Sequence, residues 1–180
     1  MEERKFWIGI GAALVVGLVI GGGVIALTAP APAPQATFTV VAYHWGFVIY
    51  DEDGIEVPRI EVARDTEVTL LVMGAEALSH AIHGVLVDRT IAAWENNTQF
   101  GDKTGPEIHD LIEEAEAQGL EDHSVMISGY DLDIAAVGDS ASPTIATFVA
   151  DTAGSFDILC NQFCGWGHQY MSLEGGLVVS

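Results

Sequence analysis

Hydrophobic and polar residues alternate along most of the chain after residue 36, which is the pattern of β-strands with one buried face. The stretch TFTVVAYHWGFVIY, residues 37–50, is rich in β-branched and aromatic residues and ends at the turn sequence DEDG. Tyr43, Trp45, Phe47 and Ile49 are expected on one side of this strand. Six more segments are short, apolar and bounded by turn residues: 55–63, 67–75, 79–87, 142–150, 154–160 and 175–180. Seven short strands at this spacing predict a β-sandwich.

A long apolar run near the N-terminus does not fit the strand pattern. Residues 6–27 contain no charged side chain and would form a helix of ~33 Å, enough to cross a bilayer. Arg4 and Lys5 precede this run and no basic residue follows until Arg59. The positive-inside rule then predicts a single-pass plasma-membrane protein with a cytoplasmic N-terminus and an extracellular C-terminal domain. A cleaved signal peptide is the alternative, although its apolar core is usually only ~7–15 residues long.

A second departure lies at residues 88–128, where apolar residues recur at helical spacing. Pro106 suits a first helical turn, Ile108 and Ile112 follow on one face, and Gly119 is a stop signal. This pattern predicts one amphipathic, acidic helix inserted into a sheet protein. The predicted organisation is a stub and membrane helix at 1–28, an extended Pro/Ala linker at 29–36, and a domain at 37–180 with an insertion at about 88–128.

The charge balance restricts the partners of the domain. Twenty-six acidic and six basic side chains give a net charge of −20, which repels nucleic acid and anionic lipid headgroups. The acidic residues are spread along the chain, as expected for a surface adapted to high salt. Steering of a basic partner is the alternative, but at molar salt the screening length is only ~3 Å.

The segment CNQFCGWGHQYM, residues 160–171, holds the only two cysteines together with His168 and Met171. Two thiolates, an imidazole and a thioether suit copper better than calcium or magnesium, and zinc gains little from a thioether. A disulfide is the alternative, which an extracellular location permits. It would close a very small loop, stabilise little, and leave the histidine and methionine unexplained.

The second cysteine decides between one metal ion and two. Cys164, His168 and Met171 with one more histidine would make a mononuclear blue-copper site. Two thiolates can instead bridge two copper ions that share one electron, an arrangement suited to electron transfer. Each copper then needs a terminal imidazole, and an earlier segment, SHAIHGV, offers His80 and His83. The pattern alone does not choose between these two.

The segment ILCNQFCGWGHQYM resembles the CuA loop of cytochrome c oxidase subunit II, and AIHGVLV is similar to the first-histidine segment of that family. The resemblance covers about residues 37–87 and 129–180, and is nearest to the B-type heme-copper oxidases. It implies a mainly β, cupredoxin-like Greek-key sandwich with one N-terminal transmembrane helix and a helical insertion. The implied ligands of the two copper ions are Cys160, Cys164, His83, His168, Met171 and the backbone carbonyl of Gln162.

The same resemblance implies the electron-input subunit of a membrane terminal oxidase, the cytochrome-c oxidase class of oxidoreductase. Electrons would arrive from an external donor, cytochrome c or a small blue-copper protein, and pass to heme in subunit I, where oxygen is reduced. This chain would carry electron transfer alone and no catalytic residue. Alternatives are a stand-alone membrane-anchored copper carrier, a copper-delivery protein, or the CuA subunit of a nitric oxide reductase.

Several other residues receive an expectation from the sequence. Many relatives carry glutamate at the position of Gln162, where the carboxylate also holds magnesium, so the neutral side chain puts that magnesium site in doubt. Electrons would enter through aromatic residues, for which Tyr43, Trp45 and Trp166 are candidates; core packing is the alternative for the first two. We expect three histidines to be solvent-exposed rather than ligands: His44, His109 and His123.

Overall fold

Two five-stranded β-sheets enclose a common core in the computed structural model, which describes residues 32–138 and 140–180 and two short strands before them. In order across the first sheet, the strands are β10 (Thr144–Ala150), β7 (Thr66–Gly74), β3 (Gln35–Tyr43), β4 (Gly46–Tyr50) and β5 (Glu56–Val57). The second sheet runs β6 (Ile60–Val62), β12 (Ser172–Val179), β11 (Gly154–Leu159), β8 (His123–Ile127) and β9 (Asp133–Ala136). The predicted mainly β, two-layer architecture is therefore confirmed.

The N-terminal segment is described only at two three-residue strands, β1 (Leu18–Ile20) and β2 (Gly23–Ile25), which pair antiparallel. The predicted membrane helix at 6–27 otherwise falls on residues that are not described, and it stays a prediction. Among the residues that are described, no helix is long and apolar enough to span a bilayer.

The period-two pattern of β7 shows why the sheets face each other. Along TEVTLLVMG every second residue is buried, and Val68, Leu70 and Val72 are completely inaccessible to solvent. They pack into the same core as Ile158 of β11 and Leu177 of β12. Each such side chain contributes roughly 1.5–3 kcal/mol through burial of apolar surface. The core between the sheets therefore fixes which face of each strand points inward.

Two segments that the sequence predicts as single strands are each divided in the structure. Residues 37–50 lie in the antiparallel hairpin β3–β4, in which Trp45, Phe47 and Ile49 share the main core whereas Tyr43 packs in a second, smaller cluster. Residues 55–63 contribute β5 to one sheet and β6 to the other. Pro58 lies between them and cannot donate a ladder hydrogen bond, which favours the break.

The prediction of a strand at residues 79–87 is wrong, because this segment begins helix α1 (His80–Trp94). Leu86, Thr90 and Trp94 are its buried residues, and they recur every four positions as a helix requires. The predicted acidic helix is confirmed as α2 (Gly105–Ala117), with a capping box and a proline in its first turn. Two helices rather than one thus lie between β7 and β8, and β8 occupies part of the expected insertion.

Candidate metal centre

The loop between β11 and β12 brings four sulfur and nitrogen ligand atoms together. The Sγ atoms of Cys160 and Cys164 are 4.0 Å apart, and the Cys164 Sγ lies 3.7 Å from His168 Nδ1 and 3.8 Å from Met171 Sδ. Both cysteines are free and buried. Because a disulfide needs a sulfur separation of ~2.05 Å, the pair is not oxidised in this structure.

Backbone and side-chain hydrogen bonds hold this loop in place. The N–H of Cys160 donates to the carbonyl of Met171 at 3.2 Å, closing the loop at its base. The indole N–H of Trp45 donates to the carbonyl of Cys164 at 2.5 Å, and the N–H of Asn161 donates to Ser124 Oγ at 2.9 Å. The loop is therefore attached to both sheets, which limits how far its ligand atoms move.

The histidine that joins the two cysteines is His123, the first residue of β8. A ring nitrogen of His123 lies within 4.8 Å of both cysteine sulfurs, and the side chain is only 1% exposed. The expectation that His123 is a solvated surface residue is therefore wrong. Strand β8 pairs with β11, with Met126 opposite Leu159, and this pairing brings the start of β8 to the end of β11 where Cys160 follows.

His83, the first histidine expected from the resemblance, is placed elsewhere. It lies on α1, and its Nε2 is 3.4 Å from Glu116 Oε1 and 3.8 Å from Glu76 Oε1. His80, the other histidine that this segment offers as a copper ligand, is exposed to solvent. The sequence did contain a signal for His123, because it shares strand parity with the buried residues Val125 and Ile127.

The donor set at the loop fits copper. Neither ring nitrogen of His123 has a hydrogen-bond partner among the described residues, although both are buried. The carbonyl oxygen of Gln162 lies 3.1 Å from the Cys160 Sγ. The two Sγ atoms are 4.0 Å apart. At that separation both sulfurs can bind the same metal ion through metal–thiolate bonds of ~2.3 Å. Two thiolates, two imidazoles, a thioether and a carbonyl form the soft, mixed set that copper prefers.

The environment of Cys160 favours the thiolate, which is the form that binds metal. Hydrogen bonding from Cys164 lowers the pKa of Cys160 far below its usual range, against the raising effect of burial, and His123 adds to the lowering. The same contact raises the pKa of Cys164, which therefore keeps its proton while no metal is bound. Metal binding would then release mainly the proton of Cys164.

Glu76 links this centre to a group of histidines behind it. Its Oε1 lies 3.4 Å from His44 Nδ1, 3.8 Å from His83 Nε2 and 3.9 Å from His123 Nε2. Burial raises the pKa of Glu76, but the close His123 and His44 side chains outweigh it and lower the pKa to about 2. The carboxylate is therefore ionised. The expectation that His44 is exposed is wrong, since its side chain is fully buried, whereas His109 is exposed as expected.

The three candidate aromatic residues differ in their access to solvent. Tyr43 and Trp45 are buried, as the core-packing alternative requires, and Trp166 is partly exposed. The Trp166 ring packs edge-on against Trp45 with centroids 5.7 Å apart, and Trp45 stacks on Trp94 at 5.5 Å. The ring of Phe163, which is largely exposed, lies 5.6 Å from that of His168. Phe163 is thus the most exposed aromatic side chain of the loop, and Trp166 and Tyr170 are partly exposed.

The close approach of the loop to Trp45 leads to a stability prediction. A Cβ on Gly167 would lie 2.0 Å from Trp45 Cδ2, inside a buried ring. We expect Gly167→Ala to lower the free energy of unfolding by at least the ~1–3 kcal/mol typical of overpacking, measured by denaturant titration. Gly84→Ala on α1 is the control, because nothing lies within 4 Å there and alanine favours helix by about 1 kcal/mol. Equal stability of Gly167→Ala and the unsubstituted chain would contradict this packing.

Comparison with known proteins identifies the fold. No family model matches the chain, and no curated protein matches it. The structure is similar to the periplasmic domain of subunit II (CoxB) of the cytochrome oxidase of Bradyrhizobium japonicum, with 14% identity, a TM-score of 0.50, and coverage of 83% of this chain and 86% of that one. A chain of a heme-copper terminal oxidase dimer gives 13% identity and a TM-score of 0.47, with coverage of 96% and 75%. The two-sheet domain therefore resembles the cupredoxin domain of subunit II.

Proposed function

We propose that this chain is the electron-input subunit of a membrane terminal oxidase, with a dinuclear copper centre at the loop between β11 and β12. The observation that carries the proposal is the convergence of Cys160, Cys164, His168 and Met171 with His123 at one end of a subunit II-like fold. A delivery protein would gain from an incomplete ligand set that releases metal easily. The complete set, buried and attached to both sheets, supports a permanently bound redox centre instead.

Each ligand has a separate role in this proposal. Cys160 and Cys164 would bridge the two ions. His123 and His168 would supply one terminal imidazole each. Met171 and the backbone carbonyl of Gln162 would be the remaining ligands. Copper, when bound, supplies a one-electron redox couple. The protein holds the donor atoms in a hydrogen-bonded loop whose Cys160, Cys164 and Met171 side chains are buried, so that they shift little when the charge of the site changes.

The remaining parts of the proposal concern partners and location. Residues 6–27 would anchor the chain in the plasma membrane against a heme-bearing subunit I, with the N-terminus in the cytoplasm and the copper domain outside. The donor would be cytochrome c or a small blue-copper protein, meeting the exposed edges of Trp166 and Phe163. The neutral side chain of Gln162 supplies no carboxylate for magnesium, and this departure supports a nearer relation to the B-type oxidases.

Purification of the native complex tests the proposed function. The full chain, isolated in mild detergent from its source membranes, should carry two copper ions and co-purify with heme and oxygen-consuming activity. Electron paramagnetic resonance should show one unpaired electron shared by two copper nuclei. A chain that holds the shared-electron copper signal but never travels with heme would point to a stand-alone carrier. A single copper ion with an unshared electron would contradict the dinuclear centre.

We also propose that the acidic surface is an adaptation to high salt. With a net charge of −20, repulsion between carboxylates opposes the compact state, and added salt screens it. Raising sodium chloride from ~0.1 M to ~1 M, which shortens the screening length from ~10 to ~3 Å, should stabilise the chain by at least about 1 kcal/mol. That corresponds to ~2–4 °C in Tm for a protein of this size, measured by thermal unfolding. An unchanged or lower Tm would contradict the proposal.

A further inference from the structure

A second group of potential ligands lies behind the copper loop and contains none of its sulfur atoms. His44 follows β3, Glu76 lies in the turn after β7, His83 is on α1 and Glu116 is on α2. One ligand atom from each of His44, Glu76 and His83 lies within 4.8 Å of the others. The Nε2 of His83 is also 3.4 Å from Glu116 Oε1. Four separate elements thus meet at one small polar cluster.

The polar atoms of this cluster lack hydrogen-bond partners within the described part of the chain. His44 Nδ1, both carboxylate oxygens of Glu76 and His83 Nε2 are all buried and unpartnered. A buried polar atom without a partner destabilises the folded state. Four such atoms within one small cluster indicate that they share a partner.

The hydrogen bond of the His44 ring shows which of its nitrogens faces the cluster. The Nε2 of His44 lies 3.1 Å from the carbonyl oxygen of Leu120, which can only accept, so this nitrogen carries the hydrogen. In the neutral ring, Nδ1 then presents a lone pair toward the Glu76 Oε1 at 3.4 Å. Two acceptors at this distance repel unless a cation lies between them. In metal-binding histidines, one ring nitrogen usually donates to a carbonyl or carboxylate while the other binds the metal. His44 has the same arrangement, with Nε2 at the Leu120 carbonyl and Nδ1 facing Glu76.

The spacing of the ligand atoms fits a tetrahedral metal ion better than a bare proton. A zinc ion with bonds of ~2.0–2.2 Å separates its donor atoms by roughly 3.4 Å. The contacts in the cluster are 3.4 Å for His44 with Glu76, 3.8 Å for His83 with Glu76, and 3.4 Å for His83 with Glu116. Hydrogen bonds between these atoms would be about 0.5 Å shorter. Imidazoles exclude calcium and magnesium, which prefer oxygen, and the absence of sulfur disfavours Cu(I).

We propose that His44, Glu76 and His83, with Glu116 as the fourth ligand, form a second metal site for a divalent ion of the zinc type. The site shares no ligand with the proposed copper centre, although Glu76 Oε1 also lies 3.9 Å from His123 Nε2. It ties both inserted helices to the sandwich, since α1 supplies His83 and α2 supplies Glu116. The Thr90 hydroxyl of α1 donates to the carbonyl of His44, so the same helix also fixes the backbone of a ligand.

The test uses the full chain in detergent, loaded first with two equivalents of copper and then titrated with Co²⁺ as a spectroscopic substitute for Zn²⁺. We expect one cobalt ion per chain by mass spectrometry, with visible ligand-field bands and no sulfur-to-cobalt charge-transfer band. His83→Ala should weaken binding at least ~100-fold, above the 10–100-fold that loss of an outer-shell partner costs. His80→Ala, three residues away on the same helix and exposed, should bind as the unsubstituted chain does.

Three results would overturn the proposal. The first is the absence of any metal beyond the two copper ions, which would leave a proton between His44 and Glu76. The second is equal cobalt binding by the His83→Ala and His80→Ala variants. The third is cobalt bound with a charge-transfer band that Cys160→Ser removes, which would place the ion at the loop. Glu116→Gln, at a partly exposed position on α2, provides a second variant if His83→Ala is poorly folded, and it should also weaken binding.

Discussion

Replacement of Cys160 by serine is expected to abolish the dinuclear copper centre, lowering the copper content from two ions per chain to at most one. The Sγ atoms of Cys160 and Cys164 are 4.0 Å apart and both face the buried ligand cluster. A serine hydroxyl stays protonated near neutral pH and is a hard oxygen donor, so it cannot replace a bridging thiolate. Copper analysis and electron paramagnetic resonance of the purified chain measure the two parts of this result.

Met171→Leu is the matched control for this substitution. Met171 is buried beside the other cysteine of the pair, 3.8 Å from the Cys164 Sγ, and leucine nearly conserves its volume. Because a thioether is a weak ligand, this variant should keep two copper ions and the shared-electron signal with altered hyperfine splitting. A Cys160→Ser chain that retained both ions and the shared electron would contradict bridging by two thiolates.

The convergence of the candidate ligands in the loop between β11 and β12 was predictable from the sequence because these residues are local. Cys160, Cys164, His168 and Met171 lie within one connection between two strands, so their spacing already limits how far apart they can be. The flanking strand β11 was equally clear, as GSFDIL is short, begins with a glycine and ends in Ile158 and Leu159. Helix α2 was predictable from Pro106 in its first turn, its apolar period and the stop signal at Gly119.

The segment at 79–87 shows where a local pattern fails. HAIHGVLV contains β-branched residues that favour a strand, and the apolar run is too short to separate the two periods. The contacts that decide for a helix come later in the chain, at Thr90 and Trp94, which pack under the loop and the hairpin β3–β4. Tertiary packing therefore overrides a weak intrinsic preference for strand.

The first histidine of the copper site could not be chosen from local spacing. His123 precedes Cys160 by 37 residues, and only the pairing of β8 with β11 brings them together. The resemblance implied His83 as the ligand because this histidine lies directly before glycine in AIHGVLV, as in the family segment. In the fold, that histidine faces Glu76 and Glu116, whereas sheet pairing places His123 beside the two cysteines.

Substitution of His123 by alanine is therefore expected to destroy the shared-electron copper signal, whereas His83→Ala should leave it intact. Loss of a terminal imidazole should weaken copper binding by more than the ~10–100-fold that removing an outer-shell partner costs. Copper titration followed by electron paramagnetic resonance on the full chain measures both effects. His123→Gln, closer in size to histidine, guards against loss of the signal through a cavity in the core.

The opposite result has an equally definite meaning. If His83→Ala lost the copper signal and His123→Ala kept it, α1 would have to approach the loop more closely than this fold allows, and the resemblance of AIHGVLV would be the better guide. If His83→Ala and His123→Ala both lost the copper signal, an effect through Glu76 would be the explanation to test. Its Oε1 is 3.8 Å from His83 Nε2 and 3.9 Å from His123 Nε2. Glu76→Gln would then separate the cases, because it removes the charge facing both rings while keeping both imidazoles. Retention of the signal in Glu76→Gln would leave direct ligation by both histidines as the remaining explanation.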